Sequence, residues 1–204
     1  MHKGTRITPV ILIIFSAIFY CCSSKENITV DGMIEYVENE DNTLINKVKY
    51  EIFIFSIQYD PLEIIALRGS NSIEEFKLNY PSNIEPYNEL EYYTFKISSE
   101  NKSTRHALSA LYDGTPEELT SYIDFIIQND IKLVQGDDSL SCSYLHKEVS
   151  EAITNELSYS IGFVKTAIKN IDRKIILKSN FQEIPDINFI ITEKSIQSVP
   201  PLKI

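Results

Sequence analysis

The first 22 residues constrain this chain most, because they decide which cysteines remain available to the folded protein. Lys3 and Arg6 precede an apolar stretch from Ile7 to Tyr20, which ends at Cys21-Cys22. A membrane-spanning helix needs about 20 apolar residues, whereas this stretch has 14 and is interrupted by Thr8, Pro9 and Ser16. A cationic start followed by a short apolar segment is typical of a cleaved secretory signal. The pattern therefore predicts export and argues against a retained membrane span.

The residues around the predicted cleavage point indicate which kind of signal this is. Ordinary signal peptidase prefers small residues one and three positions before the cut, and Phe19-Tyr20 fits that preference poorly. The stretch resembles bacterial lipoprotein signals, in which a small residue directly precedes the cysteine that is lipidated. Cys21 meets that requirement if Cys22 is the acceptor, which makes this a relaxed lipobox of the kind found in Bacteroidota and spirochaetes. Two alternatives stay open: Cys21 as the acceptor, or cleavage after Ser23 or Ser24 to give a secreted protein.

Lipidation at Cys22 predicts three segments. Residues 1–21 form the signal peptide, residues 22–31 form the lipidated cysteine and a polar tether, and residues 32–204 form a single globular domain. Acyl chains such as palmitate contribute about 0.8 kcal/mol per buried CH₂, so several chains together hold a protein stably in a membrane. Once Cys22 is acylated, Cys142 has no cysteine partner in the mature chain. An intrachain disulfide is therefore excluded, and a hydrophobic core must stabilise the fold.

The acidic charge limits the classes of partner. The full chain carries a net charge of −10, and loss of Lys3 and Arg6 with the signal takes this to −12. Nucleic acids and anionic membrane surfaces require clustered basic residues, so we expect neither as a partner of the domain itself. A basic protein partner is compatible with this charge, as is a solvated exterior with no partner at all.

Hydrophobic periodicity predicts several strands and two short helices in the first half of the chain. Asp31 is a candidate cap for a short helix, and Asn71 with Glu74 resembles a capping box for a helix that ends near Leu78. Alternation of Tyr93, Phe95 and Ile97 with polar neighbours is typical of a strand. The predicted strands in this half are Val48–Tyr59, Leu62–Arg68 and Tyr92–Ser98.

The principal helix is predicted at about residues 116–128. Thr115 is the N-cap, Pro116 takes the first helical position and Glu118 completes a capping box, while the apolar residues that follow share one face. The remaining segments read as a hairpin and further strands: Ile131–Val134 with Ser139–His146, then Tyr159–Lys165, Arg173–Lys178 and Ile187–Thr192. We therefore expect an α+β fold, with a β-rich antiparallel sheet or sandwich and one principal amphipathic helix.

Several short stretches are similar to small, uncharacterised Bacteroidota lipoproteins. They are the leader, Gln58–Pro61 with Ala66-Leu67, Phe95–Ser98 and Gly136–Cys142, and they cover about a fifth of the chain. Because that family has no assigned activity, the resemblance implies an envelope location and no mechanism.

Residue pairs that could carry chemistry do not converge in the sequence. Cys142 and His146 would be about 13 Å apart on one strand, which is too far for a nucleophilic dyad, so Cys142 is expected to be a small core residue. The pairs His106–Asp113 and His146–Glu148 lack zinc-site spacing. The acidic stretches 38–41 and 137–138 lack the alternating ligands of a calcium loop. No catalytic residue, metal or cofactor is predicted.

Tyrosines are the remaining candidates for a binding surface. Tyr87, Tyr92, Tyr93 and Tyr112 could line a binding face or belong to the core. The sequence thus predicts a non-enzymatic, lipid-anchored protein of the bacterial cell envelope that binds or assembles with an envelope partner. The outer membrane is the expected membrane, with its periplasmic or surface face left open. The alternatives are an inhibitor or immunity-type lipoprotein whose acidic surface meets a basic protein, or an unrecognised hydrolase.

Overall fold

The computed structural model describes residues 26–100, 103–148, 155–168 and 170–204, and nine β-strands lie in these ranges. All strand pairings are antiparallel, and the strands form a five-stranded sheet in the order β1-β2-β3-β7-β6 and a four-stranded sheet in the order β5-β4-β8-β9. The strands are β1 Ile45–Tyr50, β2 Phe53–Asp60, β3 Leu90–Ser99, β4 Ile131–Gln135, β5 Asp138–Ser141, β6 Tyr144–Lys147, β7 Glu156–Val164, β8 Arg173–Leu177 and β9 Ile187–Ile191.

The two sheets share one hydrophobic core. Alternate residues of each strand point to opposite faces, and the apolar set of each sheet faces the other sheet. The ring of Phe95 in β3 lies 6.3 Å from that of Phe189 in β9, centroid to centroid. Buried residues of both sheets join one cluster, which includes Phe55, Ile57, Tyr159, Ile161, Leu133, Ile175 and Ile191. The predicted antiparallel α+β fold class is confirmed.

Seven α-helices accompany the sheets in the described ranges. They are α1 Val30–Glu38, α2 Leu62–Arg68, α3 Ile73–Leu78, α4 Tyr80–Ile84, α5 Thr104–Ser109, α6 Pro116–Ser121 and α7 Glu193–Ser198. Helix α6 continues as a π-helical turn over Tyr122–Ile126 and a 3₁₀ turn over Ile127–Asp130. The predicted capping box at Thr115 and Glu118 is present, which confirms where the principal helix begins.

Helix α2 overturns a prediction, because Leu62–Arg68 was expected to be a strand. Pro61 precedes the helix and has no backbone N–H, so it fits the N-terminal boundary. Ile64 packs with Met33 of α1, while Ala66 packs with Phe76 of α3. A short run that is apolar on all sides shows no hydrophobic period that would distinguish a helix from a strand. The elements that pack against it therefore decide which of the two forms.

Two of the predicted long strands are each divided into two. The chain turns at Glu51-Ile52, where Glu51 has a φ of 50°, so Val48–Tyr59 contributes to two paired strands, β1 and β2. The predicted strand Ser139–His146 divides at Cys142 into β5 of one sheet and β6 of the other. The Cys142 N–H donates to the Ile131 carbonyl oxygen in the four-stranded sheet. The N–H of the following residue, Ser143, donates to the Gly162 carbonyl oxygen in the five-stranded sheet. The chain therefore crosses between sheets where the pattern suggested a continuous strand.

Helices α1 to α4 pack together through Ile64 and Ala66 of α2, and α1 and α2 border the outer face of the five-stranded sheet. Helix α1 has Thr29 as its N-cap, two residues before the predicted Asp31, and α3 has Ser72, one residue after the predicted Asn71.

Ile28 pairs with Leu202 near the C-terminus, so tertiary contacts begin within the segment predicted as a tether. No helix in the described ranges has the length and apolarity required to span a membrane.

Candidate functional site

The outer face of the five-stranded sheet carries polar side chains in register. Strand alternation that turns Phe55 and Ile57 inward turns Ser56 and Gln58 outward. The cross-strand pairs place Ser56 opposite Lys96, and Lys96 opposite Ser158. A neighbouring row runs across Gln58, Thr94, Ser160 and His146. The result is a continuous polar surface on the side of the sheet that faces away from the core.

This polar surface is concave, and we call it the outer groove. Its main cavity has a volume of about 440 Å³ and is walled at one end by Glu38 of α1 and Arg68 of α2. Three basic and three acidic side chains line this cavity, so their formal charges cancel even though the whole chain carries −10. The groove is lined by Glu38, Ile45, Lys47, Ile54, Ser56, Gln58, Arg68, Thr94, Lys96, Ser98, Glu148 and Glu156.

Arg68 is fixed in place at the edge of the groove. Its Nη1 donates to Asp60 Oδ2 at 3.0 Å and to Thr94 Oγ1 at 3.2 Å. The Arg68 side chain is 44% exposed, whereas the Asp60 side chain is fully buried. The Arg68 Nε makes no hydrogen bond to any of the described residues. The Arg68 Nη2 also donates to Asp60 Oδ1, at 3.5 Å. A guanidinium held through its two terminal nitrogens and open at Nε is preorganised to donate to a bound ligand.

The buried Asp60 carboxylate holds Arg68 in this position. Thr94 Oγ1 donates to its carboxylate at 2.5 Å, and Gln58 Nε2 donates at 3.0 Å. Burial raises the pKa of the Asp60 carboxyl above its ordinary value, while the charge of Arg68 and the donated hydrogen bonds oppose that rise. Because its oxygens are already occupied and shielded from solvent, Asp60 serves to position Arg68.

Four of the five other charged groups of the groove are also engaged, and Glu38 is the exception among the described residues. Lys96 pairs with Glu156 at 3.0 Å, and Lys47 pairs with Glu40 at 2.6 Å. Glu148 accepts a hydrogen bond from Ser158 Oγ at 2.8 Å. The groove therefore offers both donors and acceptors without an excess of either charge.

A second cavity of about 300 Å³ adjoins the groove, and Arg68 and Glu148 line both. We call it the tyrosine subsite, since Tyr87 and Tyr144 lie in its wall together with Ile65, Gly69, His146 and Ser160. The buried Tyr92 ring lies between these two rings, 6.1 Å from Tyr87 and 5.9 Å from Tyr144, edge to face in both cases.

A glycine sets the position of two of these rings. A Cβ atom at Gly162 would come within 3.2 Å of the Tyr144 Cβ and 3.4 Å of the Tyr92 ring. The missing side chain at this point of β7 thus lets both tyrosines pack closely onto the sheet.

Cys142 and His146 lie on opposite sides of the five-stranded sheet. Cys142 is buried in the core between the sheets, and its Sγ donates to the Tyr144 carbonyl oxygen at 3.0 Å. Burial raises the pKa of this thiol to about 11, although backbone hydrogen bonds at Gly162 and Tyr144 oppose the rise. His146 instead lines the tyrosine subsite on the outer face. The structure therefore places Cys142 in the core, as predicted, and brings His146 and Glu148 together in the wall of one cavity.

The other predicted candidates are dispersed. His106 is exposed on α5, and Asp113 is exposed in the following loop. Residues 38–41 end α1 and enter a 3₁₀ turn, while Asp137 lies in the turn of the β4–β5 hairpin. Within the described ranges, no three His, Cys, Asp or Glu side chains are grouped so that they could hold a metal ion. Cys21 and Cys22 lie outside the described residues.

The predicted tyrosines divide between site and core. Tyr87 lines the tyrosine subsite and Tyr92 packs on it. Tyr93 instead is buried between the sheets, and Tyr112 packs on Tyr122 and Phe181. Sequence reasoning missed Arg68, Gln58 and Ser160 as site residues. The signal available for Gln58 and Ser160 was the alternation of polar and apolar residues in β2 and β7. Arg68 ends helix α2 and has no such local signal.

No protein-family model, curated protein or solved structure matches this chain.

Proposed function

We propose that this protein is a non-enzymatic binding module, held in the bacterial cell envelope by a lipid on Cys22, which binds a polar ligand in the outer groove. The observation that carries the proposal is the groove itself, a concave surface most of whose polar side chains are buried or half-buried. A merely solvated sheet face is common in antiparallel sheets. Here, however, helices α1 and α2 wall one end of the face, and Asp60 and Thr94 fix an arginine over it.

The distribution of charged groups supports binding rather than catalysis. A nucleophile requires a base within hydrogen-bond reach, and the sheet separates Cys142 from His146. The carboxylates of Glu148 and Glu156 are engaged by Ser158 and Lys96. These pairs suit recognition of hydroxyl, amide or zwitterionic groups.

The alternative of an acidic inhibitor receives less support from this surface. A site for a basic protein would concentrate uncompensated carboxylates, whereas the charges that line the groove cancel. The two functions differ in their salt dependence, because attraction between exposed charges is screened by salt. Binding of a neutral polar ligand should change little between 50 and 500 mM NaCl.

The experiment uses the full-length protein in detergent and a panel of soluble probes. The probes are maltohexaose, cellohexaose, the hexamer of N-acetylglucosamine, an oligogalacturonate and a decapeptide rich in serine and asparagine. We expect at least one probe to give saturation-transfer NMR signals. Ser56→Trp, which fills the groove, should abolish them, whereas Ser139→Trp, at an exposed position on β5, should not.

The absence of a saturation-transfer signal from every probe would contradict the proposed ligand binding. Binding that Ser56→Trp leaves intact would contradict it as well. Unfolding curves of both variants serve to show that each remains folded.

A further inference from the structure

We infer that the tyrosine subsite binds one neutral hexose unit of an oligosaccharide whose remaining units extend into the outer groove. This inference rests on the proposed function and deepens it by naming the ligand class and the residues that recognise it.

The first support is the aromatic surface. A pyranose ring has an apolar face of C–H groups that packs on an aromatic ring, while its hydroxyl groups require polar partners. Tyr144 is 39% exposed and lines the cavity, and the buried Tyr92 packs edge-on against it. A ring that is held in place and still meets solvent loses little conformational freedom when a ligand packs on it.

The second support is the mixture of polar groups around that surface. Each sugar hydroxyl can donate one hydrogen bond and accept others, so it is best served by donors and acceptors side by side. Arg68 supplies donors, Glu148 supplies acceptors, and His146 and Ser160 supply both. The guanidinium and carboxylate oppose each other in charge, so the cavity has no strong preference for an anionic or a cationic ligand.

The third support is the extent of the site. Binding pockets for small molecules commonly span about 300–1,000 Å³, and the subsite, at about 300 Å³, is at the lower end of that range. It therefore suits a single compact unit. Because Arg68 and Glu148 also line the 440 Å³ groove, a chain of units can continue from the subsite along the polar face of the sheet.

The test measures affinity of the full-length protein for the neutral hexasaccharide of the panel that gives the strongest signal. Tyr144→Ala should weaken binding about tenfold, which matches about 1.4 kcal/mol for the loss of an aromatic contact. Tyr144→Phe, which keeps the ring, should weaken it by no more than about threefold. Arg68→Gln should also weaken binding, since it removes the fixed charged donor. Phe125→Ala is the matched control, because Phe125 is 74% exposed and lies outside both cavities.

The panel separates failure of this inference from failure of the proposed function. Groove binding of the decapeptide or the oligogalacturonate, with no neutral sugar bound, would overturn the saccharide assignment and leave a polar-ligand function standing. Neutral-sugar binding that is equally strong in Tyr144→Ala would overturn the subsite. Binding of no probe would overturn both the inference and the proposed function.

Discussion

Cys142 packs between the two sheets, where its thiol donates to a backbone carbonyl and burial raises its pKa to about 11. Thiols react as thiolates, so this residue is protected from acylation and oxidation at neutral pH by the same contacts that stabilise the core. The lipid attachment that we propose therefore depends on Cys22, which the sequence places at the boundary between the apolar leader and the polar chain.

Replacement of Cys22 tests the anchor directly. In a bacterial host that processes lipoproteins, Cys22→Ala should release the protein from the membrane fraction or block its maturation, because no acyl chain can be attached. Membrane fractionation and intact-mass measurement report the two outcomes. Cys21→Ala is the matched control and should stay membrane-bound, since alanine is small enough to precede the acceptor. Unchanged fractionation of Cys22→Ala, with no acyl mass on the wild type, would contradict the proposed anchor.

At the scale of secondary structure, the clearest local signals mark helix boundaries. Thr115 Oγ1 accepts from the Glu118 N–H at 3.2 Å, and the Glu118 carboxylate accepts from the Thr115 N–H at 2.7 Å. All of these atoms lie within four consecutive residues, so the sequence alone predicts the interaction. Leu62–Arg68 is the contrasting case, since its helical state depends on partners in α1 and α3 that no local pattern reveals.

The capping box should be measurable in stability. We expect Thr115→Ala to lower the free energy of unfolding by about 1 kcal/mol, because the first turn of α6 loses an acceptor for its backbone N–H groups. Urea unfolding followed by circular dichroism measures the change. Ser121→Ala, at an exposed position of the same helix, should change stability by less than about 0.5 kcal/mol. Equal effects of the two substitutions would show that the cap does not stabilise this helix.

At the scale of the whole molecule, a buried ion group connects the two sheets. Arg173 of β8 donates through Nε to Glu91 of β3 at 3.1 Å and also contacts Glu193 of α7. The side chains of these three residues are all at most 18% exposed. Tyr93 donates to the same Glu91 carboxylate. The group joins both sheets and the C-terminal helix, so it fixes their relative positions within the apolar core.

Removing the central cation should be strongly destabilising. Arg173→Ala leaves two buried carboxylates without their cation, and breaking a buried ion pair in this way costs about 3–5 kcal/mol. Urea unfolding at pH 7 measures the loss. Lys174→Ala, at the adjacent exposed position, should have an effect of less than about 0.5 kcal/mol. A similarly small effect of Arg173→Ala would mean that solvent or rearrangement compensates the two glutamates.

The amino-acid sequence is sufficient to predict the features that depend on neighbouring residues. These are the alternation that makes β3 and β7 strands, the capping box at Thr115, the α+β class and the expectation that Cys142 is a core residue. Each follows from contacts within a few positions or from the alternation of apolar and polar residues. Short stretches of the chain therefore carry the information needed to predict them.

Features that join distant segments emerge when the elements of the fold pack together. Arg68 belongs to the site because it reaches Asp60 and Thr94, eight and 26 positions away. Cys142 marks a crossing between sheets because its own N–H donates to the Ile131 carbonyl oxygen, while the N–H of Ser143 donates to that of Gly162. The outer groove arises where helices from one part of the chain wall the polar face of a sheet built from others. Such contacts depend on how whole elements pack, and the local pattern of residues is the same whether or not they form.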